Sequence, residues 1–196
     1  MSTDLPSYIP ELVSEEDIRA KVKEMGKQIS DDYRNRAPLR IIGALKGCFV
    51  YMADLLRAID IPTKVDFMEV SSYGDAMQSS GNVKIIKDLT HNIEGEHVLV
   101  AEDIIDTGLT LNHVIDMLWT RHPASLAITA LLVKPTKQKL KHPIKYSGFE
   151  IPDEFVVGYG LDYSGYMRNL PYIGKITDTA QLTLFDDLEK AALERE

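Results

Sequence analysis

Cysteine is nearly absent: Cys48 is the only one in 196 residues, so no internal disulfide can form and no thiolate cluster can hold a metal. Long apolar runs are missing too. No stretch approaches the roughly 20 apolar residues that span a bilayer. The N-terminal MSTDLPSYIPELVSEED is polar, acidic and punctuated by proline, unlike a secretory leader. A cytoplasmic protein with no membrane partner is the expectation. Positive charge is also scarce. Lys and Arg number 22 against 30 Asp and Glu, a net charge of -8, so there is no electrostatic footprint for nucleic acid and a repressor is disfavoured. An acidic chain that binds a polyanionic small molecule must use local devices: helix N-termini, a few placed lysines and arginines, and metal ions.

What is present is a globular composition, 44% apolar and 27% charged, in a length that suits one domain with a substantial core. Ser14 begins an amphipathic helix, with Glu15, Glu16 and Asp17 in its first turn and Ile18, Val22, Met25, Ile29 and Tyr33 along one face. Leu39 to Leu45 reads as a buried strand, and its Gly43 implies close approach to the backbone. A helix from about Cys48 to Ala58, a strand Thr63 to Val70, and a small, polar, glycine-bracketed loop from Ser71 to Gly81 follow. Further strands are expected at Val83 to Lys87, His97 to Ile104, Ala124 to Val133 and Tyr172 to Ile176, with a helix opening at Leu109 or Thr110 and ending before Pro123. Trp119 on that helix is read as core or subunit interface. Strand, helix, strand with short loops predicts an α/β fold with a central, mostly parallel sheet flanked by helices. The tail from Thr179 to Glu196 carries no chemistry and reads as a docking helix or an oligomer contact.

The most informative stretch is His97 to Leu111, HVLVAEDIIDTGLTL. Val98 to Ala101 suit a strand buried on both faces. Charge then appears as the adjacent carboxylates Glu102 and Asp103, followed by Asp106-Thr107-Gly108-Leu109-Thr110 at a helix start. Amides at a helix N-terminus, with threonine hydroxyls and a glycine, favour a phosphate. The acidic pair would repel a bare phosphate and suits sugar hydroxyls, a divalent cation, or both. A ligand with a phosphate beside a ribose diol satisfies both halves. The plainer alternative is an ordinary strand-to-helix turn with Asp106 or Thr107 as N-cap.

Two acidic residues followed by Asp-Thr-Gly-x-Thr resemble the phosphoribosyl-pyrophosphate signature of the type I phosphoribosyltransferases. With Leu45-Lys46-Gly47, the LLVKPT run at Lys134, and the segment from Gly148 to Tyr163, the chain resembles the hypoxanthine (hypoxanthine-guanine) phosphoribosyltransferases from about Ile41 to Ile176. That resemblance implies Mg2+-dependent transfer of 5-phosphoribosyl from phosphoribosyl pyrophosphate to N9 of hypoxanthine, and of guanine, giving IMP or GMP and pyrophosphate. It also implies a homodimer or homotetramer, and a single domain with a core over about 35–176. The closing loop then covers about 71–82, and a base-binding hood comes from N-terminal residues and about 148–178.

The same resemblance distributes the roles. Glu102 and Asp103 hold ribose hydroxyls and metal, while Asp106, Thr107, Gly108, Leu109 and Thr110 cradle the 5-phosphate. Lys46, Gly47 and Arg168 take pyrophosphate, in a loop whose leucine-lysine peptide is often cis in the family. Ser72 and Tyr73 match the closing loop's serine-tyrosine pair. Lys134, Phe155, Val156 and Asp162 go to the purine, with Asp162 also reaching magnesium, and Asp106 becomes the proton-transfer group at purine N7. By spacing alone several of these residues have plainer readings: solvated lysines at 46 and 134, a buried aromatic at 155, a turn aspartate at 162. Lys137 is a second candidate for phosphate, and Gln138 departs from an arginine of the family pattern. The rival functions are a regulator that keeps the fold and pocket, and a transferase specific for xanthine or a pyrimidine; the Phe155-Val156 pair disfavours a pyrimidine.

Overall fold

The structure, a computed structural model, describes residues 9–72 and 83–177. Tyr73 with the rest of the expected closing loop, and the tail from Thr179, lie outside the described residues. In chain order the elements are β1 (Glu11–Val13), α1 (Glu15–Tyr33), β2 (Leu39–Leu45), α2 (Phe49–Ala58), β3 (Thr63–Ser72), β4 (Val83–Lys87), β5 (His97–Ile105), α3 (Leu109–Trp119), β6 (Ser125–Val133), β7 (Tyr146–Glu150), β8 (Val156–Val157) and β9 (Ile173–Lys175). They fall into two compact units, Arg19–Asp153 and a smaller one combining Met1–Ile18 with Glu154–Glu196.

The larger unit holds a six-stranded sheet in the order β4-β3-β2-β5-β6-β7. All neighbours are parallel except β3 and β4. This is the α/β arrangement expected from alternating strands and helices. Its inner strands are apolar on both faces because helices cover them. Ile42, Val98, Val100, Ile105, Ile128, Ala130 and Val133 from the sheet pack with Leu111, Val114, Ile115 and Leu118 from α3. On α2, Tyr51, Met52 and Leu55 are buried. Gly43 makes that packing close: a Cβ there would lie 2.4 Å from Met52 Sδ and 2.9 Å from Cys48 Sγ. Trp119 is not core. It is 42% exposed, because one helical step of about 100° past buried Leu118 takes it off the packed face. Ser14 caps α1 as read, its Oγ accepting the Asp17 N–H at 3.0 Å.

In the smaller unit β1, β9 and β8 form an antiparallel sheet. Ile9, Val157, Met167 and Leu170 make its core. Strands β1, β7 and β8 went unread in the sequence. Two or three residues are too few to show a period of two, and β7 carries a glycine at its centre. Among the described residues no helix is long and apolar enough to cross a membrane.

Candidate functional site

Strand register opens the site. The pairing of β2 with β5 runs from Leu39 opposite His97 to Gly43 opposite Ala101 and then stops, whereas β5 stays on β6 as far as Ile105 opposite Val133. Past Ala101 the edge of β5 that faced β2 has lost that neighbour. A cleft of about 280 Å³ occupies the gap, lined by Ala44, Leu45, Gly47, Val70 and the run from Glu102 to Leu111. The chain leaves β2 toward β3 on one side and returns at β5 on the other, so the cleft sits at a topological switch point. Glu102 and Asp103 therefore lie within the strand rather than beyond its end. Residues that a continued ladder would have paired with β2 line the cleft instead.

Gly47 and Asp103 form one wall. A Cβ on Gly47 would lie 1.7 Å from Asp103 Oδ2, so the carboxylate rests directly on the loop backbone. Its other oxygen accepts the Ile104 N–H at 2.9 Å. The preceding Leu45–Lys46 peptide is cis, as in the resembled family, and Lys46 is exposed. Burial, and then the charge of Asp103, push the Glu102 carboxyl well above the usual carboxylate range. Two adjacent carboxylates are donors of the kind Mg2+ takes, one or two at a time, and would hold such an ion here. Among the described residues no group of three or more ligating side chains is gathered as a protein cage. Burial, Glu102 and Asp103 also raise the Cys48 thiol, which leaves it inert.

The turn into α3 is a backbone device. Gly108 occupies the N-cap position at φ 72°, in the left-handed region, and no side chain caps the helix. Asp106 and Thr107 are thus not the N-cap; Thr107 Oγ1 accepts only a long 3.4 Å bond from the Leu109 N–H. Thr107 to Leu111, the residues that open α3, line the cleft, and a helix start at a cleft favours an anion.

Lys134, where β6 ends, is only 7% exposed. Its Nζ lies 3.5 Å from Asp106 Oδ2 and 3.7 Å from Asp153 Oδ1. Lys137 Nζ is 2.7 Å from Asp153 Oδ2, so it is engaged with a carboxylate rather than held out for phosphate. That bond raises Lys137 and lowers Asp153. Asp153 was missed in the sequence, where it stands inside the Gly148 to Tyr163 segment with no role assigned. Asp106 Oδ1 is buried without a hydrogen-bond partner. A buried acceptor left open is costly unless something arrives to fill it.

The smaller unit carries the remaining candidates. Phe155 is 50% exposed and meets Tyr163 edge to face, with ring centroids 6.0 Å apart. Val156 is buried, paired with Lys175 across β8 and β9. Asp162 Oδ1 is 2.6 Å from Arg168 Nη2, and Asp162 Oδ2 accepts the Gly165 N–H at 2.7 Å. Arg168 also donates to the Gly160 carbonyl at 2.7 Å. The residues expected at magnesium and at pyrophosphate thus hold each other here. Ser72 ends β3 opposite Val83.

A phosphoribosyl transferase domain model matches residues 11–164. A hypoxanthine phosphoribosyltransferase of Haemophilus influenzae is 48% identical over 171 residues, covering 86% of this chain and 96% of its own. A hypoxanthine-guanine phosphoribosyltransferase of Bacillus subtilis is 51% identical over 163 residues, covering 83% and 90%. Among solved structures, the orthorhombic form of a Staphylococcus aureus hypoxanthine phosphoribosyltransferase aligns with a TM-score of 0.85 at 45% identity, covering 92% of this chain and 99% of that one. With the switch-point cleft, the acidic pair and the glycine-led helix start in place, the chain belongs to the phosphoribosyltransferase family, among its hypoxanthine phosphoribosyltransferases.

Proposed function

We propose that this enzyme serves purine salvage by transferring the 5-phosphoribosyl group of phosphoribosyl pyrophosphate to N9 of hypoxanthine, with guanine as a second acceptor. The observation that carries the reading is Asp106. One carboxylate oxygen faces Lys134 and the other is buried and open, so the group is poised to accept a proton from the incoming base. The C1–oxygen bond to pyrophosphate breaks, the C1–N9 bond forms, and the proton displaced from the purine goes to Asp106. Charge in such a transfer develops on the ribosyl ring and on departing pyrophosphate, so the protein acts mainly by placement and electrostatics.

Asp103 and Glu102 hold the ribose 2- and 3-hydroxyls, and the backbone from Asp106 to Thr110 holds the 5-phosphate. Lys46, Gly47 and Arg168 receive pyrophosphate. Lys134 contacts the purine exocyclic oxygen, a role that suits a compact cation. Phe155 stacks on the purine, Val156 reads its edge through backbone groups, and Asp162 is assigned to the base with them; Glu102 and Asp103 remain the pair that would hold a metal ion. Held by Glu102 and Asp103, Mg2+ would supply positive charge that favours departure of pyrophosphate. Base binding is assigned to residues of the smaller unit, and the Ser72-Tyr73 pair to the exclusion of water. We place the protein in the cytoplasm, as a homodimer or homotetramer.

Steady-state kinetics with hypoxanthine, guanine, xanthine and uracil, at saturating phosphoribosyl pyrophosphate and Mg2+, test the proposal. Hypoxanthine is expected to give the highest kcat/KM, with guanine turned over as well. Preference for xanthine overturns the substrate assignment. Binding of phosphoribosyl pyrophosphate without turnover of any base marks a regulator instead.

A further inference from the structure

Behind the phosphate loop runs a strap, Lys139 to His142, on which no role has yet been placed. It touches the loop twice. The Lys139 N–H donates to the Thr107 carbonyl at 2.8 Å, and Leu140 covers Gly108 so closely that a Cβ on that glycine would meet Leu140 Cβ at 2.9 Å. The strap is in turn held by the helix that the loop opens. Asn112, 4% exposed in the first turn of α3, donates from Nδ2 to the Lys139 carbonyl at 3.0 Å and accepts the Lys141 N–H on Oδ1 at 2.8 Å. One turn later Asp116 lies 3.1 Å from His142 Nε2. The Asn112 N–H closes the ring on the Gly108 carbonyl at 3.0 Å.

We propose that Asn112 is the positioning residue of the 5-phosphate loop. Its amide fastens the strap across Thr107 and Gly108, and so sets affinity for phosphoribosyl pyrophosphate without contacting it. A left-handed glycine with no side-chain cap has other conformations open to it. The ring through Asn112 excludes them before the ligand arrives, so binding does not bear the cost of ordering the loop. The inference rests on the proposed reading of this loop as the phosphate site.

The test compares wild type, N112A, K139P and the double variant, with K139A as the control for the lost lysine side chain; the proline removes the N–H that reaches Thr107. N112A and K139P are each expected to raise KM for phosphoribosyl pyrophosphate roughly tenfold, the scale of one net hydrogen bond, with kcat and hypoxanthine KM within about twofold. The double variant should match the singles rather than multiply them. Calorimetric titration with phosphoribosyl pyrophosphate should show the same weakening independently of turnover. Should N112A fail to fold, K139P carries the same test with Asn112 in place. Unchanged affinity, an equal rise in both KM values, or multiplicative effects overturn the inference. Absence of hypoxanthine turnover in wild type overturns the proposed function instead.

Discussion

Replacing Gly47 by alanine adds one methyl group to a loop at the surface of the cleft. The methyl carbon would lie 1.7 Å from Asp103 Oδ2 and 2.6 Å from its Cγ, so something must move by more than an ångström. Asp103 cannot readily yield: one oxygen is held by the Ile104 N–H, and the strand that carries it remains paired with β6 to Ile105. The loop at Lys46 and Gly47 is therefore displaced, and with it the groups assigned to pyrophosphate. A misplacement of about 1 Å can cost on the order of a hundredfold in rate, and that is the expected fall in kcat/KM for phosphoribosyl pyrophosphate. Stability should scarcely change, with Tm within about 2 °C of wild type, because the added methyl meets the Asp103 carboxylate and no core side chain. Initial-rate kinetics and thermal unfolding on the same preparation read both quantities. In an Asp103→Ala background, where the obstructing carboxylate is gone, G47A should add little further loss. Retention of kcat/KM within about threefold in G47A would refute the reasoning.

Asp106→Asn should lower kcat by at least about a hundredfold while changing hypoxanthine KM much less; an unchanged single-turnover rate removes Asp106 from proton transfer. Lys134→Met should raise hypoxanthine KM by roughly tenfold or more and leave phosphoribosyl pyrophosphate KM near wild type; equal loss of both contradicts the division of the site. Away from the site, the buried Arg40 guanidinium, assisted by Lys64, holds Glu96 down to about 2. Its folded pKa lies below the ordinary 4.5, so this stabilisation is full above that value and is lost as the pH falls toward 2. Glu96→Gln should cost on the order of 3 kcal/mol near pH 7, and the Tm gap to wild type should narrow by pH 3; a gap independent of pH contradicts the assignment.

Much of the fold can be read along the chain. The strand Leu39 to Leu45 and the helix beginning at Leu109 stand in the structure with the bounds their patterns indicate, because burying an apolar run or one face of a helix leaves a periodic trace. Gly43 also declares itself, since a residue without Cβ within a buried strand implies a close neighbour; that neighbour is α2. Short strands leave no such trace. For β1 and β8 only the partner strand β9 makes them strands, and that partner is distant in the sequence.

The candidate site divides in the same way. Local chemistry in HVLVAEDIIDTGLTL points by itself to a ligand with a phosphate beside a diol, or to a cation, because adjacent carboxylates and a glycine-led helix start suit those groups; it also allows an ordinary strand-to-helix turn. Only tertiary structure decided which groups surround them. It parted β2 from β5 after Ala101, seated Asp103 on Gly47, engaged Lys137 with Asp153, and left one oxygen of Asp106 buried and open. The physical reason is that desolvation and charge pairing act between residues brought together by sheet order, and sheet order is not a property of any one segment. Asp106, an N-cap by spacing alone and a candidate base by family resemblance, is freed from the cap because Gly108 takes that position, and Lys134 arrives beside it from the end of the neighbouring strand.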